Sequence, residues 1–162
     1  MVTKSLYQEV ILDHNRNPRN YGSLDNANRS AEGHNPLCGD HLNIKINLSE
    51  NLIINSISFQ GESCAICKAS ASMMTANVKG KTQAEAETMI KEFRDMSVGK
   101  LEPDDNHNLG RLTVFVGVRD LPTRVKCAIL PWHTLQAALN SITTISTEAD
   151  NDPMHTSIGN AS

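Results

Sequence analysis

The sequence predicts an α+β domain: a small antiparallel β-sheet of about three strands packed against several α-helices. Two patterns carry that reading. Leu42, Ile44, Ile46 and Leu48, and then Ile53, Ile57 and Phe59, fall at the even spacing of half-buried strands. Helical spacing brackets them, with Leu6, Val10 and Ile11 before and Ala- and Met-rich or charged amphipathic stretches after. At 162 residues the chain suits one domain with a sizeable core.

Taken in order, residues 4–14 form an amphipathic first helix, and the Asn-, Pro- and Gly-rich NRNPRNYGSLDNAN is loop. A strand is expected over 27–34. HLNIKINL and LIINSISF pair as a hairpin across the turn Ser49-Glu50-Asn51. Gly61-Glu62-Ser63 ends the sheet, CAICKASASMMTANVKG is a helix, and QAEAETMIKEFRDM (83–96) is another. Residues 97–110, with Pro103, are loop. RLTVFVGV (111–118) is ambiguous, because strand propensity conflicts with its isolation from other strands. LPTRVKC leads into a last helix at about 127–143. The domain is expected to span 1–145, and residues 146–162 read as a disordered polar tail.

Composition excludes several function classes. Lys and Arg total 15 against 18 Asp and Glu, so no strong field recruits nucleic acid or an anionic membrane. No apolar run approaches the roughly 20 residues of a membrane span. The opening MVTKSLYQEVILDH carries Glu9 and Asp13 and lacks a secretory cleavage pattern, which predicts a cytoplasmic protein with reduced thiols. Four cysteines in that setting point to metal or sulfur chemistry before disulfides.

Cys38 and Asp40 share the turn NPLCGD, bent by Pro36 and Gly39. Cys64 and Cys127 are each placed where a loop becomes a helix, and free N–H groups at a helix N-terminus favour thiolate. Arg124 and Lys126 add positive charge beside Cys127. Three thiolates and the Asp40 carboxylate would make a four-ligand tetrahedral set suited to zinc. The alternative is that these cysteines are small buried apolar residues. His34 and His41 flank the turn closely enough to compete as ligands. His14, His107, His133 and His155 read as surface or satisfied core residues, and Met73 and Met74 as core.

NPLCGD, GESCAICKASASMM and LPTRVKCAILPW together resemble the three cysteine motifs of the SufU/IscU (NifU N-terminal-like) iron–sulfur cluster assembly family. The resemblance runs from the first helix to about residue 143. It implies that Cys38, Cys64 and Cys127 converge with Asp40 at one exposed end. It is nearest the zinc-binding SufU branch, since Lys126 stands where IscU-type proteins carry a histidine, LPTRVK does not match their chaperone signal, and the stretch around 83–110 is similar to a SufU insertion.

That branch implies a zinc-dependent acceptor and carrier of persulfide sulfur, a sulfurtransferase-like relay protein working with a SufS-like cysteine desulfurase and the downstream iron–sulfur machinery. Cys38 would be the persulfide acceptor and mobile zinc ligand, displaced when a partner histidine takes its place. The alternatives are a scaffold that assembles a transient [2Fe–2S] cluster from iron on Cys38, Cys64 and Cys127, and a structural zinc domain. Cys67 departs from the small residue usual in the family. The resulting Cys64-Ala65-Ile66-Cys67 makes Cys67 either buried filler or an auxiliary thiol.

Overall fold

The computed structural model describes residues 4–140 and 144–146. Helix α1 (Lys4–Arg16) is followed by strands β1 (Arg29–Asn35), β2 (Asp40–Leu48) and β3 (Ile54–Glu62). Both β1–β2 and β2–β3 pair antiparallel. The even-numbered apolar residues of β2 are all buried, as the alternation predicts.

The sheet outlasts its expected end, because Gly61 and Glu62 still pair with Leu42 and His41. Gly61 has φ +136, and a Cβ there would lie 2.1 Å from the His41 carbonyl oxygen. In this strand glycine permits close backbone approach and does not break the ladder. A further short strand, β4 (Thr144–Ser146), pairs parallel with β1, giving the order β3-β2-β1-β4. Three residues are too few to reveal alternation, so the sequence pattern stopped at three strands. Of residues 146–162, expected as tail, Ser146 ends β4 and the rest lie outside the described residues.

Helices α2 (Ala65–Val78) and α3 (Gln83–Ser97) match their expected positions. Thr82 and Glu85 close a capping box on α3. Residues Gly110–Asp120 wind as 3₁₀ turns, which settles the ambiguous RLTVFVGV. Its buried Leu112, Phe115 and Val118 recur every third residue, the period of a 3₁₀ helix, so burial overrides strand propensity. Helix α4 (Pro122–Leu139) begins earlier than expected, with Pro122 in its first turn. Cys127 therefore lies in the second turn of a helix and not at its start. No helix among the described residues is long and apolar enough to cross a membrane.

From Cys127 to Leu135 every residue of α4 is buried, because the helix touches β1 and β2 as well as α2 and α3. Trp132 stacks on Phe93 with ring centroids 4.6 Å apart and donates its Nε1–H to Ser70 Oγ at 3.0 Å. Pro131 leaves the Cys127 carbonyl without the usual helical donor four residues on. Helix α4 packs tightly on the sheet at Gly33, where a Cβ would stand 2.0 Å from Thr134 Oγ1. That contact sets how near Cys127 comes to the turn between β1 and β2. Gly33→Ala is expected to destabilise the fold by about 1–3 kcal/mol through overpacking, read as a lowered denaturation midpoint with unchanged denaturant slope. An unchanged midpoint would show that α4 seats without that contact.

Candidate metal centre

The three cysteine segments meet at one end of the sheet. Cys38 lies on the turn between β1 and β2, Asp40 opens β2, Cys64 caps α2, and Cys127 faces them from α4. Ligand atoms of Cys38, Asp40 and Cys127 all lie within 4.8 Å of one another. The Cys38 and Cys127 sulfurs are 3.0 Å apart, well beyond the roughly 2.05 Å of a disulfide. Cys64 joins this triad from its rim through Asp40, its Sγ 3.9 Å from Oδ2.

Asp40 is only 2% exposed. Its Oδ1 accepts the Cys64 backbone N–H at 2.7 Å, and its Oδ2 accepts from Asn35 Nδ2 at 3.3 Å. Asn35, fully buried, also reaches Cys127 Sγ at 3.5 Å. Sequence reasoning passed over Asn35. Its signal was the Asn-Pro pair at the mouth of the turn, where a strand residue faces inward just before the chain bends.

Cys64 is the cysteine at a helix N-terminus, and its sulfur accepts the Cys67 N–H at 3.4 Å. A hydrogen bond with Cys127 brings the Cys64 thiol down to about 7, helped by the N–H groups of Cys67 and Ile66 and opposed by burial and the Asp40 charge. The same Cys64 bond, with burial and Cys38, raises the Cys127 thiol well above the ordinary range. The Cys127 sulfur, and then the Cys64 charge, push the Arg124 guanidinium up, so Arg124 brings positive charge toward the thiols. Lys126 is half-buried beside Cys127. Cys67 is fully buried, and burial first, then the Asp40 charge, pushes its thiol far up.

His34 and His41 stand apart from the cysteines, grouped with Glu32. His14 meets Ser72 Oγ at 2.7 Å and His107 meets the Pro103 carbonyl at 2.9 Å. His133 is buried, as are Met73 and Met74. His155 lies outside the described residues.

This chain matches the NifU-like N-terminal domain model over residues 6–128. The chain belongs to that family. A family relative, the zinc-dependent sulfurtransferase SufU of Bacillus subtilis, is 44% identical over 82% of this chain and 88% of its own. The iron–sulfur cluster assembly scaffold protein IscU of Thermotoga maritima is 36% identical over 88% of this chain and 98% of its own. Among solved structures, a SUF-system assembly scaffold protein from Fervidobacterium islandicum superposes with TM-score 0.74 at 34% identity, covering 81% of this chain and 94% of that one.

The donor set fits a divalent ion. Sulfurs about 2.3 Å from a tetrahedral zinc lie about 3.7 Å from one another; here the Cys38 and Cys127 sulfurs are 3.0 Å apart, and Cys64 Sγ stands 3.9 Å from Asp40 Oδ2. A carboxylate that opposes ionisation of the neighbouring thiols leaves excess negative charge for a cation to neutralise.

In metal-free protein, iodoacetamide should modify Cys64 with a half-rise near pH 7 and more slowly below it, as its thiolate is lost. Cys67 should stay unmodified until the chain unfolds. Peptide mass spectrometry across a pH series reads both. A Cys64 half-rise near the ordinary 8.5 would show that its hydrogen bonds do not stabilise the thiolate.

Proposed function

We propose that this chain is a zinc-dependent acceptor and carrier of persulfide sulfur in iron–sulfur cluster assembly, served by a cysteine desulfurase. The observation that carries the reading is the meeting of three sulfurs and one buried carboxylate from three distant segments. Its 44% identity to a zinc-dependent sulfurtransferase supports it. Cys38, Asp40, Cys64 and Cys127 would hold the ion. Bound zinc would keep these thiolates deprotonated and shielded from oxidation.

The residues divide the work by exposure. Cys127 is buried in α4 and Cys64 is fixed by its cap, so both are holding ligands. Cys38 is half-buried on a turn beside exposed Leu37, so a partner's persulfide can reach it. Its thiolate attacks the outer sulfur of that persulfide. The new S–S bond forms on Cys38, the donor's S–S bond breaks, and the donor cysteine leaves as thiolate. One S–S bond replaces another, so no oxidant is consumed. Arg124 offsets the negative charge gathered around the step.

A second reading, assembly of a [2Fe–2S] cluster on the same cysteines, draws on the IscU scaffold relative. Sulfur-rich donors suit either chemistry. Elemental analysis of protein purified without added metal is expected to give about one zinc per chain. Cys64→Ala and Cys127→Ala should each lose it and melt earlier, because the ion binds only the folded state. Iron with acid-labile sulfide in place of zinc would favour the scaffold.

After incubation with desulfurase and cysteine, the extra sulfur should map to Cys38 by alkylation and mass spectrometry. Cys38→Ser should abolish acceptance, since a hydroxyl at neutral pH is a poor nucleophile. Cys67→Ser should retain zinc and near-normal acceptance. Sulfur on Cys67, with Cys38→Ser still active, would overturn the assignment.

A further inference from the structure

We propose that the solvent-facing side of the β1–β2 ladder carries a second metal site, formed by Glu32, His34 and His41, for a divalent first-row ion such as zinc. The register builds it. Asn35 pairs with Asp40 and both are buried toward the cysteines. The next pair along the ladder, His34 with His41, takes the opposite face because side chains alternate along a strand. Glu32 lies two residues before His34 and shares that face. The backbone of Glu32 and His34 is held from both sides, by β2 and by β4, so the donors stand on a fixed frame.

The geometry is already close to that of a site. One donor atom from each of the three residues lies within 4.8 Å of the others. His41 Nε2 is 3.0 Å from Glu32 Oε1, and the His34 and His41 rings are 4.6 Å apart at their centroids, tilted by 33°. Donors about 2.05 Å from a tetrahedral ion lie about 3.3 Å apart. The side chains of Glu32 and His41 are 47% and 46% exposed, so water can complete the coordination.

A plain ion pair explains less. An exposed Glu–His contact is weak and engages one imidazole, whereas here two imidazoles are set against each other beside the carboxylate. Two imidazoles and a carboxylate form a donor set for zinc, nickel or iron, and it lacks the thiolates of the cysteine centre. The outer site therefore exchanges its ion more readily than the inner one. The inference is independent of the sulfur-relay reading, because it uses none of the same ligands.

The test is zinc titration by calorimetry into protein as purified, paired with elemental analysis of the starting material. The starting metal reports on the cysteine centre and the added metal on the histidine pair. Wild type is expected to take one further, weaker equivalent that brief dialysis against a mild chelator removes. His34→Ala should abolish that equivalent, and Glu32→Gln, the milder change, should weaken it by at least about ten-fold. Both variants should keep the metal they were purified with and an unchanged circular dichroism spectrum. No further equivalent in wild type, or one that survives both variants, overturns the site. If His41→Ala instead strips the tightly held metal, His41 belongs to the cysteine centre and the proposal fails.

Discussion

The buried carboxylate of Asp40 ties together three segments that lie far apart in the sequence. A carboxylate at 2% exposure costs several kcal/mol unless hydrogen-bond donors replace its water. Here the donors come from the start of α2, through the Cys64 N–H, and from the end of β1, through Asn35. Asn35 also touches the Cys127 sulfur on α4. Satisfying one anion thus fixes the turn between β1 and β2, the cap of α2 and the second turn of α4 relative to one another. The close seat of α4 at Gly33 brings Cys127 within reach of this network.

Charge then divides the cysteines into unequal partners. Hydrogen bonds and the free N–H groups of α2 favour ionised Cys64, while Cys127 supplies the opposing proton. Ionising a further sulfur beside Asp40 and Cys64 raises the repulsion in a site from which much of the water has been excluded. Arg124 relieves part of that from outside. The exposure gradient runs the other way, from buried Cys127 to half-buried Cys64 and Cys38. The buried sulfur is suited to holding and the turn sulfur to exchanging, and this separation is what a relay requires.

Much of this was legible in the sequence, for definite physical reasons. The alternation in β2 announced its buried face, and three cysteine motifs in order announced the convergence. What escaped notice had weaker local signals. The 3₁₀ turns of Gly110–Asp120 hid behind the strand propensity of Thr113, Val114, Val116 and Val118, while the buried Leu112, Phe115 and Val118 keep a period of three. The start of α4 hid behind Pro122, which belongs to the first turn of a helix as readily as to the loop before it. Misplacing that start put Cys127 at a helix N-terminus, so its sulfur seemed to share the electrostatics of Cys64. In the fold its setting is set by burial and by the neighbouring thiols.

The stretch His34-Asn35-Pro36-Leu37-Cys38-Gly39-Asp40-His41 shows where spacing loses its power. His34 and His41 are as near to Cys38 in sequence as Asn35 and Asp40 are, give or take one residue, and any of them offers a plausible donor. The pleat of the strands decides between them. A step of one residue along β1 or β2 turns a side chain from the core face to the solvent face. Asn35 and Asp40 fall on the inner side with the sulfurs, and His34 and His41 fall on the outer side with Glu32. Nitrogen donors are thereby kept away from a sulfur-rich centre by backbone geometry alone. A one-residue slip in the β1–β2 register would exchange the two sets. The tight pairing of this ladder therefore selects the chemistry of the centre as well as the shape of the sheet.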